Sequence, residues 1–376
     1  MQTVYLDNSS TTKPCEKAVE YITDSLKTNW GNPSSLHTMG IEAEIKVSEA
    51  RKEIANLIHC REDEITFTGS GTEANNTVIM SLINKKHIGN RIITTSIEHP
   101  SVLETVKRLE DFGFEVIFLK PDSNGVISLK ELEEATNENT SLVSIMLVNN
   151  EIGSVQPIAE AAKIIKKKSP KALFHCDAVQ GFGKLPINVS ALGVDFLSAS
   201  AHKIHGPKGI GFLYCKKGTN FSPFITGGGQ EKGLRSGTEA VPLICGFAGA
   251  VEALPELNSQ LKKQQELYNY AYDKLSEINS VKINTGRNSF PYIMSIALEG
   301  YRSETVLHFL DGKGIYVSSG SACSKGKLSF VLKEIGLDKK IIDSTLRLSF
   351  SRYNTKEDID ILCRELYNAA KTLRKA

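Results

Sequence analysis

Residues 195–214 read DFLSASAHKIHGPKGIGFLY, and the rest of the chain is organised around them. Phe196 and Leu197, followed by small residues, predict a short buried strand running into Ser200, His202 and Lys203. His205-Gly206-Pro207 turns the chain, and the small and bulky alternation from Gly209 to Tyr214 predicts the next strand. A lysine therefore stands where a strand ends, beside hydroxyl and imidazole groups. Desolvation and neighbouring charge in such a place depress lysine basicity, which makes an amine nucleophile available near neutral pH. That suits a carbonyl cofactor such as pyridoxal phosphate. A solvated lysine in a turn would carry the same letters, so the weight falls on what else converges on Lys203.

With 376 residues and 40% apolar content, the chain can bury a large core, divided into two domains or held in one large one. Lys plus Arg (45) balances Asp plus Glu (43), and the longest basic run, Lys166 to Lys168, closes a predicted helix, where positive charge is favourable. This is no footprint for nucleic acid or a membrane surface. The opening MQTVYLDNSSTTKP lacks a basic stretch followed by an apolar one, and no window approaches the roughly 18 apolar residues of a spanning helix. A soluble, cytoplasmic enzyme is expected. Seven scattered cysteines without a CxxC pair argue against a disulfide framework or a thiolate zinc cage.

Outward from the central stretch, Lys17 to Leu26 predicts a helix with Ala18, Val19, Ile22 and Leu26 on one face. Gly40 to His59 predicts a second, with Ile41, Ile45, Val47, Ile54, Leu57 and Ile58 packing inward. Strand and helix patterns then alternate: Glu64 to Thr68, Ala74 to Leu82, Arg91 to Ser96, Ser101 to Phe112, Glu115 to Lys120, Ser141 to Val148, Ile158 to Lys168 and Ala172 to Cys176. Such alternation predicts an α/β fold with a mostly parallel sheet covered on both faces and a ligand at the carboxyl ends of its strands. After the Gly-rich segment Thr226 to Gly237 and two helices, Lys282 to Asn284, Ile293 to Leu298 and Thr345 to Phe350 predict strands of a smaller α+β unit. The expected division is 13–257 for the large unit, and 1–12 with 258–376 for the small one.

Several groups are placed to converge. Gly69-Ser70-Gly71-Thr72-Glu73-Ala74 lies between a strand and a helix, where backbone N–H groups and the helix dipole favour a phosphate. The same letters satisfy the G-x-G-x-x-A dinucleotide fingerprint, but they do not open the first βαβ unit, and the next strand ends in Ser96 and Ile97 without an acid. Asp177 follows the strand Leu173-Phe174-His175-Cys176. A carboxylate facing a pyridine nitrogen gains about 4 kcal/mol at 4 Å and an effective dielectric near 20, before desolvation, and so keeps the ring protonated. Gln180 is then in reach of a ring hydroxyl; a helix cap is the other reading of Asp177. His175, Cys176, Asp177, His202 and His205 do not read as a metal cluster, because alternation sends Cys176 to the opposite face from His175 and Asp177. His99 suits stacking on a ring or a proton shuttle, and equally a surface site beside a helix start. Asn150 suits polar recognition of a substrate or a turn.

Cys323, in the stretch VSSGSACSKGK from Val317 to Lys327, has no apolar face, unlike a structural cysteine. Its loop is expected to be mobile and exposed, and Lys325 and Lys327 favour its thiolate; a flexible thiol of this kind is useful where sulfur must be collected at one place and released at another. Arg347 projects from a strand with leucines on either side; its guanidinium suits a bidentate grip on a carboxylate, or a salt bridge between domains.

Taken in order, YLDNSSTTKP, GNPSSLH, FTGSGTEANN, EHPSV, VNNEIGSVQPI, HCDAVQGFGK, SASAHKIHGPKG, GLRSGTE, SSGSACS and LRLSFSRYN resemble the cysteine desulfurases, which have the type I pyridoxal-phosphate-dependent transferase fold of class V aminotransferases. The resemblance covers nearly the whole chain. It implies Lys203 as the Schiff-base lysine, Asp177 on the pyridine nitrogen, Gln180 on the ring oxygen and His99 over the ring. It also implies phosphate contacts from Gly71, Thr72, Ser200 and His202, with Thr238 reaching in from the second subunit of a homodimer. Asn150 and Arg347 would hold the carboxylate of L-cysteine, and Cys323 matches the persulfide-forming cysteine that passes sulfur to an iron–sulfur scaffold or a tRNA or thiamine thiolation protein. Two departures stand out: Gly69-Ser70 reverses the usual Ser-Gly order, and SKGKLSFVL after Cys323 is shorter than the Glu-Pro-containing link of housekeeping members. Selenocysteine cleavage and amino transfer use the same fold; a catalytically silent sulfur carrier or scaffold-binding protein would keep it without needing Lys203 and Asp177.

Overall fold

The structure, a computed structural model, describes residues 3–84, 89–319 and 328–375. The strands in chain order are β1 (Val4–Tyr5), β2 (Ile65–Thr68), β3 (Arg91–Thr95), β4 (Glu115–Leu119), β5 (Thr140–Ser144), β6 (Leu173–Asp177), β7 (Phe196–Ser200), β8 (Gly211–Cys215), β9 (Val281–Ile283), β10 (Ile293–Leu298), β11 (Ile315–Tyr316), β12 (Ser318–Ser319) and β13 (Thr345–Ser349). The helices used below are α1 (Glu16–Thr28), α2 (Thr38–Leu57), α3 (Gly71–Met80), α4 (Pro100–Glu110), α5 (Val241–Glu252), α6 (Leu257–Ser276), α7 (Phe330–Glu334) and α8 (Lys356–Thr372).

The largest sheet has the order β2-β8-β7-β6-β5-β3-β4. Its ladders are parallel except at β8, which runs against both β2 and β7. The reversal follows from a short connection: the turn after Lys203 is too brief for the crossover that a parallel partner needs. Period-2 alternation divides each strand between two apolar layers. Leu197, Phe212, Val143 and Ile93 point into the layer under α1, α2 and α5; Phe196, Leu213, Leu142 and Ile92 point into the layer under α3 and α4.

Four further strands form the sheet β12-β13-β10-β9, with antiparallel ladders, and β1 pairs with β11 in a two-stranded one. Their apolar side chains pack with α6 and α8 as a separate cluster that includes Tyr268, Met294, Ile296, Leu348 and Leu362. A smaller cluster of Ile97, Ile152, Val331, Leu332 and Ile342 lies where α7 meets the large sheet.

Two helix faces differ from the sequence reading. Val19 and Leu26 on α1, and Ile41 and Ile45 on α2, are 50%, 59%, 49% and 47% exposed. On α1 the inward face is made by the small residue Ala18; on α2 Ala43 and Ala50 share it with Val47, Ile54 and, at the C-cap, Ile58, which are buried as expected. Gly246 and Gly249 on α5 explain the turn of α1. A Cβ at Gly249 would lie 2.7 Å from the Lys17 carbonyl oxygen, so α1 approaches α5 backbone to backbone along its Ala18 side, which turns the larger residues outward. The expected strand from Ser141 to Val148 also ends early, at Ser144, although Ile145 and Leu147 still donate to the carbonyls of His175 and Asp177 at 3.1 and 2.8 Å.

The close approach gives a test. Gly249→Val should overpack the contact and lower the unfolding free energy by about 1–3 kcal/mol, read as a lower denaturant midpoint at unchanged m.

Candidate active site

Adjacent parallel strands deliver the first pair of groups to one edge. Asp177 is the last residue of β6 and is in register with Ser198 of β7; β7 then runs into a short 3-10 turn, Ala201–Lys203. The two side chains line one cavity of ≈ 430 Å³. Gly71, Thr72, His99, Asn150, Gln180, Ser200, His202 and Arg347 line it as well. Hollows of ≈ 560 and ≈ 990 Å³ lie elsewhere and gather none of these groups. Thr238 is exposed and does not line the cavity of its own chain. Cys323, Lys325 and Lys327 lie outside the described residues.

Asp177 is 5% exposed and both of its oxygens are engaged: Oδ2 accepts from Asn75 Nδ2 at 2.7 Å and Oδ1 from the Val179 N–H at 3.0 Å. The second bond is a turn cap, so the capping and site readings of this residue coexist. Asn75 also donates to Ser101 Oγ at 2.9 Å, and Ser101 Oγ lies 2.7 Å from His99 Nδ1. A continuous polar chain thus joins His99 to Asp177. His99 caps α4 through the Ser101 N–H. Burial lowers its pKa, with Asp177 opposing and Lys203 adding to the effect.

Lys203 Nζ donates to the carbonyls of Ser9 and Ser10 at 2.5 and 2.8 Å. His202 beside it is driven down to about 3, by burial first and then by Lys203, and is therefore neutral. Beneath the edge, His175 is fully buried between the hydroxyls of Ser144 and Ser198, at 2.8 and 2.9 Å, and burial pushes it down to about 4. It buttresses the strands. Among the described residues no group of three or more His, Cys, Asp or Glu is placed to hold a metal ion.

Helix α3 starts at Gly71 in the cavity wall, with Ser70 as its N-cap accepting from the Glu73 N–H. A Cβ on Gly71 would come within 2.6 Å of Val179 Cγ2, so glycine is required by the close packing. The first N–H groups of a helix lack internal acceptors, which makes this end a seat for an anion. Gln180 Oε1 and Arg347 Nε are buried without hydrogen-bond partners among the described residues. Arg347 otherwise donates to Asp7 Oδ1 (2.8 Å), Ser10 Oγ (2.6 Å) and the Asn150 carbonyl (3.1 Å). A buried acceptor and an open helix start in one cavity fit a group that carries a hydroxyl and a phosphate, and the Arg347 guanidinium in the same wall suits a second molecule that carries a carboxylate.

The family model for class-V aminotransferases matches residues 4–362. The chain belongs to that family. A cysteine desulfurase of Nostoc sp. (strain PCC 7120) is 40% identical over 379 residues, spanning 100% of this chain and 94% of the relative. Among solved structures, a NifS-like protein superposes with a TM-score of 0.94 at 39% identity over 99% of this chain and 100% of that one. SspA in complex with cysteine does so with 0.83 at 35% identity, over 94% and 100%.

In this class-V aminotransferase, sequence reasoning missed several residues of the site. Asn75, Ser101, Ser9 and Ser10 all act at the cavity, and the available signal was their place inside the quoted motifs. Two buried acids were also missed. Glu98, 0% exposed, accepts at Oε1 from Thr95 Oγ1 and the Met146 N–H, both at 2.8 Å, while Oε2 has no partner. Burial raises it to about 8, with Asp177 adding to the rise. Glu151, which takes Ser329 Oγ at 2.5 Å, is raised by burial to about 7.

A carboxyl held protonated by the fold contributes stability that is complete below the unfolded pKa near 4.5 and is lost as pH rises through the folded value, about 8 for Glu98. Glu98→Gln keeps the shape without the proton. Its unfolding free energy should therefore gain on the native chain by up to about 1.4 kcal/mol per pH unit between pH 5 and 8, measured by denaturant titration at stepped pH.

Proposed function

We propose that this enzyme is a cysteine desulfurase that uses pyridoxal phosphate to convert L-cysteine to L-alanine, with the sulfur collected as a persulfide on Cys323. The carrying observation is the convergence of Lys203, Asp177 and Arg347 on one cavity that also holds an acceptor unpartnered among the described residues.

Gly71, Thr72, Ser200 and His202 would hold the phosphate at the start of α3, Gln180 Oε1 would accept from the ring hydroxyl, and His99 would cover the ring. Pyridoxal phosphate, when bound, supplies an electron sink for negative charge developing on the substrate. The Asp177 carboxylate, fixed by Asn75 and Val179, would face the ring nitrogen and favour its protonated form. Lys203 would take the Cα proton and return it; beside it stand a neutral His202 and the buried Lys184, driven down to about 7 by burial and then by Lys203. Arg347 and Asn150 hold the substrate carboxylate. The Cys323 thiolate then attacks the substrate sulfur. An S–S bond forms, the C–S bond breaks, and the three-carbon remainder takes up protons and leaves as alanine.

The enzyme acts as a homodimer in this reading. The exposed apolar residues Val19, Leu26, Ile41 and Ile45, with Trp30 at 65% exposure, support burial against a second copy, and Thr238 would complete the phosphate site of that copy. The persulfide is passed to a sulfur-acceptor protein, an iron–sulfur scaffold or a tRNA or thiamine thiolation protein. No described helix is long and apolar enough to cross a membrane.

Replacing Cys323 by Ser tests the sulfur step. The visible absorption of the bound cofactor should persist while sulfide release to a thiol reductant falls by roughly 100-fold or more, since a hydroxyl is a far weaker nucleophile than a thiolate. Unchanged turnover would refute the role.

A further inference from the structure

The N-terminal turn, which the sequence presents as a run of polar residues, connects the two ends of the site. Tyr5 Oη donates to the carbonyls of Asp7 and Thr11 at 3.2 and 2.9 Å. Asp7 bridges Ser349 at the end of β13, Asn8 Nδ2 donates to the Ser349 carbonyl at 2.8 Å, and the Ser9 N–H donates to Ser349 Oγ at 2.8 Å. The turn is thus pinned to the strand that carries Arg347.

Three atoms then form a closed triangle. Asp7 Oδ1 accepts from Arg347 Nη2 at 2.8 Å and from Ser10 Oγ at 2.8 Å, and Ser10 Oγ accepts from the same Nη2 at 2.6 Å. Arg347 and Ser10 line the cavity, whereas Asp7 does not. The carboxylate therefore grips the guanidinium from behind. Both bonds fall on Nη2 and a third on Nη1, which leaves the buried Nε–H without an acceptor among the described residues. An arginine has five N–H donors in a fixed plane, so fixing Nη2 and Nη1 fixes the direction of Nε. The Ser10 carbonyl meanwhile accepts from Lys203 Nζ, and one residue touches both the amine and the guanidinium.

We propose that Asp7 is a positioning residue for carboxylate recognition: with Ser10 it holds the plane of the Arg347 guanidinium in the orientation presented to the substrate carboxylate, at a set distance from Lys203. This rests on the reading of Arg347 as the carboxylate anchor. An ion pair behind the anchor also lowers the free energy needed to keep an arginine 5% exposed when no substrate is bound.

The test is Asp7→Asn in the holoenzyme, which retains an acceptor and removes the charge. KM for L-cysteine should rise about tenfold, as expected for loss of a charge-assisted bond, with kcat within about threefold and the visible absorption of the bound cofactor unchanged. The calorimetric affinity for L-alanine, which has the carboxylate but no thiol, should fall by the same factor. A KM that stays put or drops would overturn the proposal, a drop meaning that Asp7 competes for the arginine. Loss of kcat together with cofactor absorption would also overturn it, because a structural role moves both. If Asp7→Asn does not fold, Ser10→Ala removes one of the two bonds on Nη2 and must give a smaller KM rise of the same kind; an unchanged KM there overturns the inference. Arg347→Lys separates the levels. An unchanged KM in that variant defeats the anchor reading itself, whereas an impaired Arg347→Lys beside a normal Asp7→Asn defeats the positioning role alone.

Discussion

Everything at the site depends on the parallel register of β6 and β7. That register sets Asp177 beside Ser198, and the chain then needs only a short turn to bring Lys203 to the same edge. Parallel strands in a covered sheet leave their carboxyl ends as the place where side chains from successive loops meet. The sheet supplies direction and its two apolar layers supply rigidity. The loops contribute chemistry: α3 brings an open helix start, α4 brings His99, and the segment after β5 brings Asn150 and Glu151.

The electrostatics of the cavity are dominated by burial. His175 and His202 are kept neutral while Glu98 and Glu151 are held towards their protonated forms. Asp177, Lys203 and Arg347 each have specific partners. Two charged groups of opposite sign in a low-dielectric cleft interact strongly only if few others dilute the field. The neutral imidazoles and carboxyls around them serve that end, as polar but uncharged walls.

Much of this was legible from residue order. Short apolar runs followed by Asp177, Lys203, His99 and Asn150 announce strand ends, and strand ends in an alternating α/β chain share an edge. The small residues from Gly69 to Thr72 announce a helix start that admits an anion. Legibility fails where a role depends on contacts far along the chain. Asn75 belongs to the site because it reaches Asp177, 102 positions away; its place in the quoted motif marks the segment but not this contact. The helix faces fail for a related reason. Val19 and Leu26 have the spacing of core residues, but the face that α1 presents is chosen by two glycines on α5. Glu98 and Glu151 are hidden because an acid in a motif gives no sign of whether it is ionised.

The turn at Asp7 has a temporal consequence. Its partner Arg347 lies 340 positions downstream, and β1 pairs with β11, more than three quarters of the way along the polypeptide. During synthesis the first dozen residues emerge ahead of all the others; Gln180, His202 and Lys203, which they contact, follow about halfway along the chain, but Ser349 and Arg347 come only near its end. A nascent or truncated polypeptide therefore has the acceptors of the amine before the turn that carries them is pinned, and the guanidinium joins the cavity only when the beginning of the molecule meets its end.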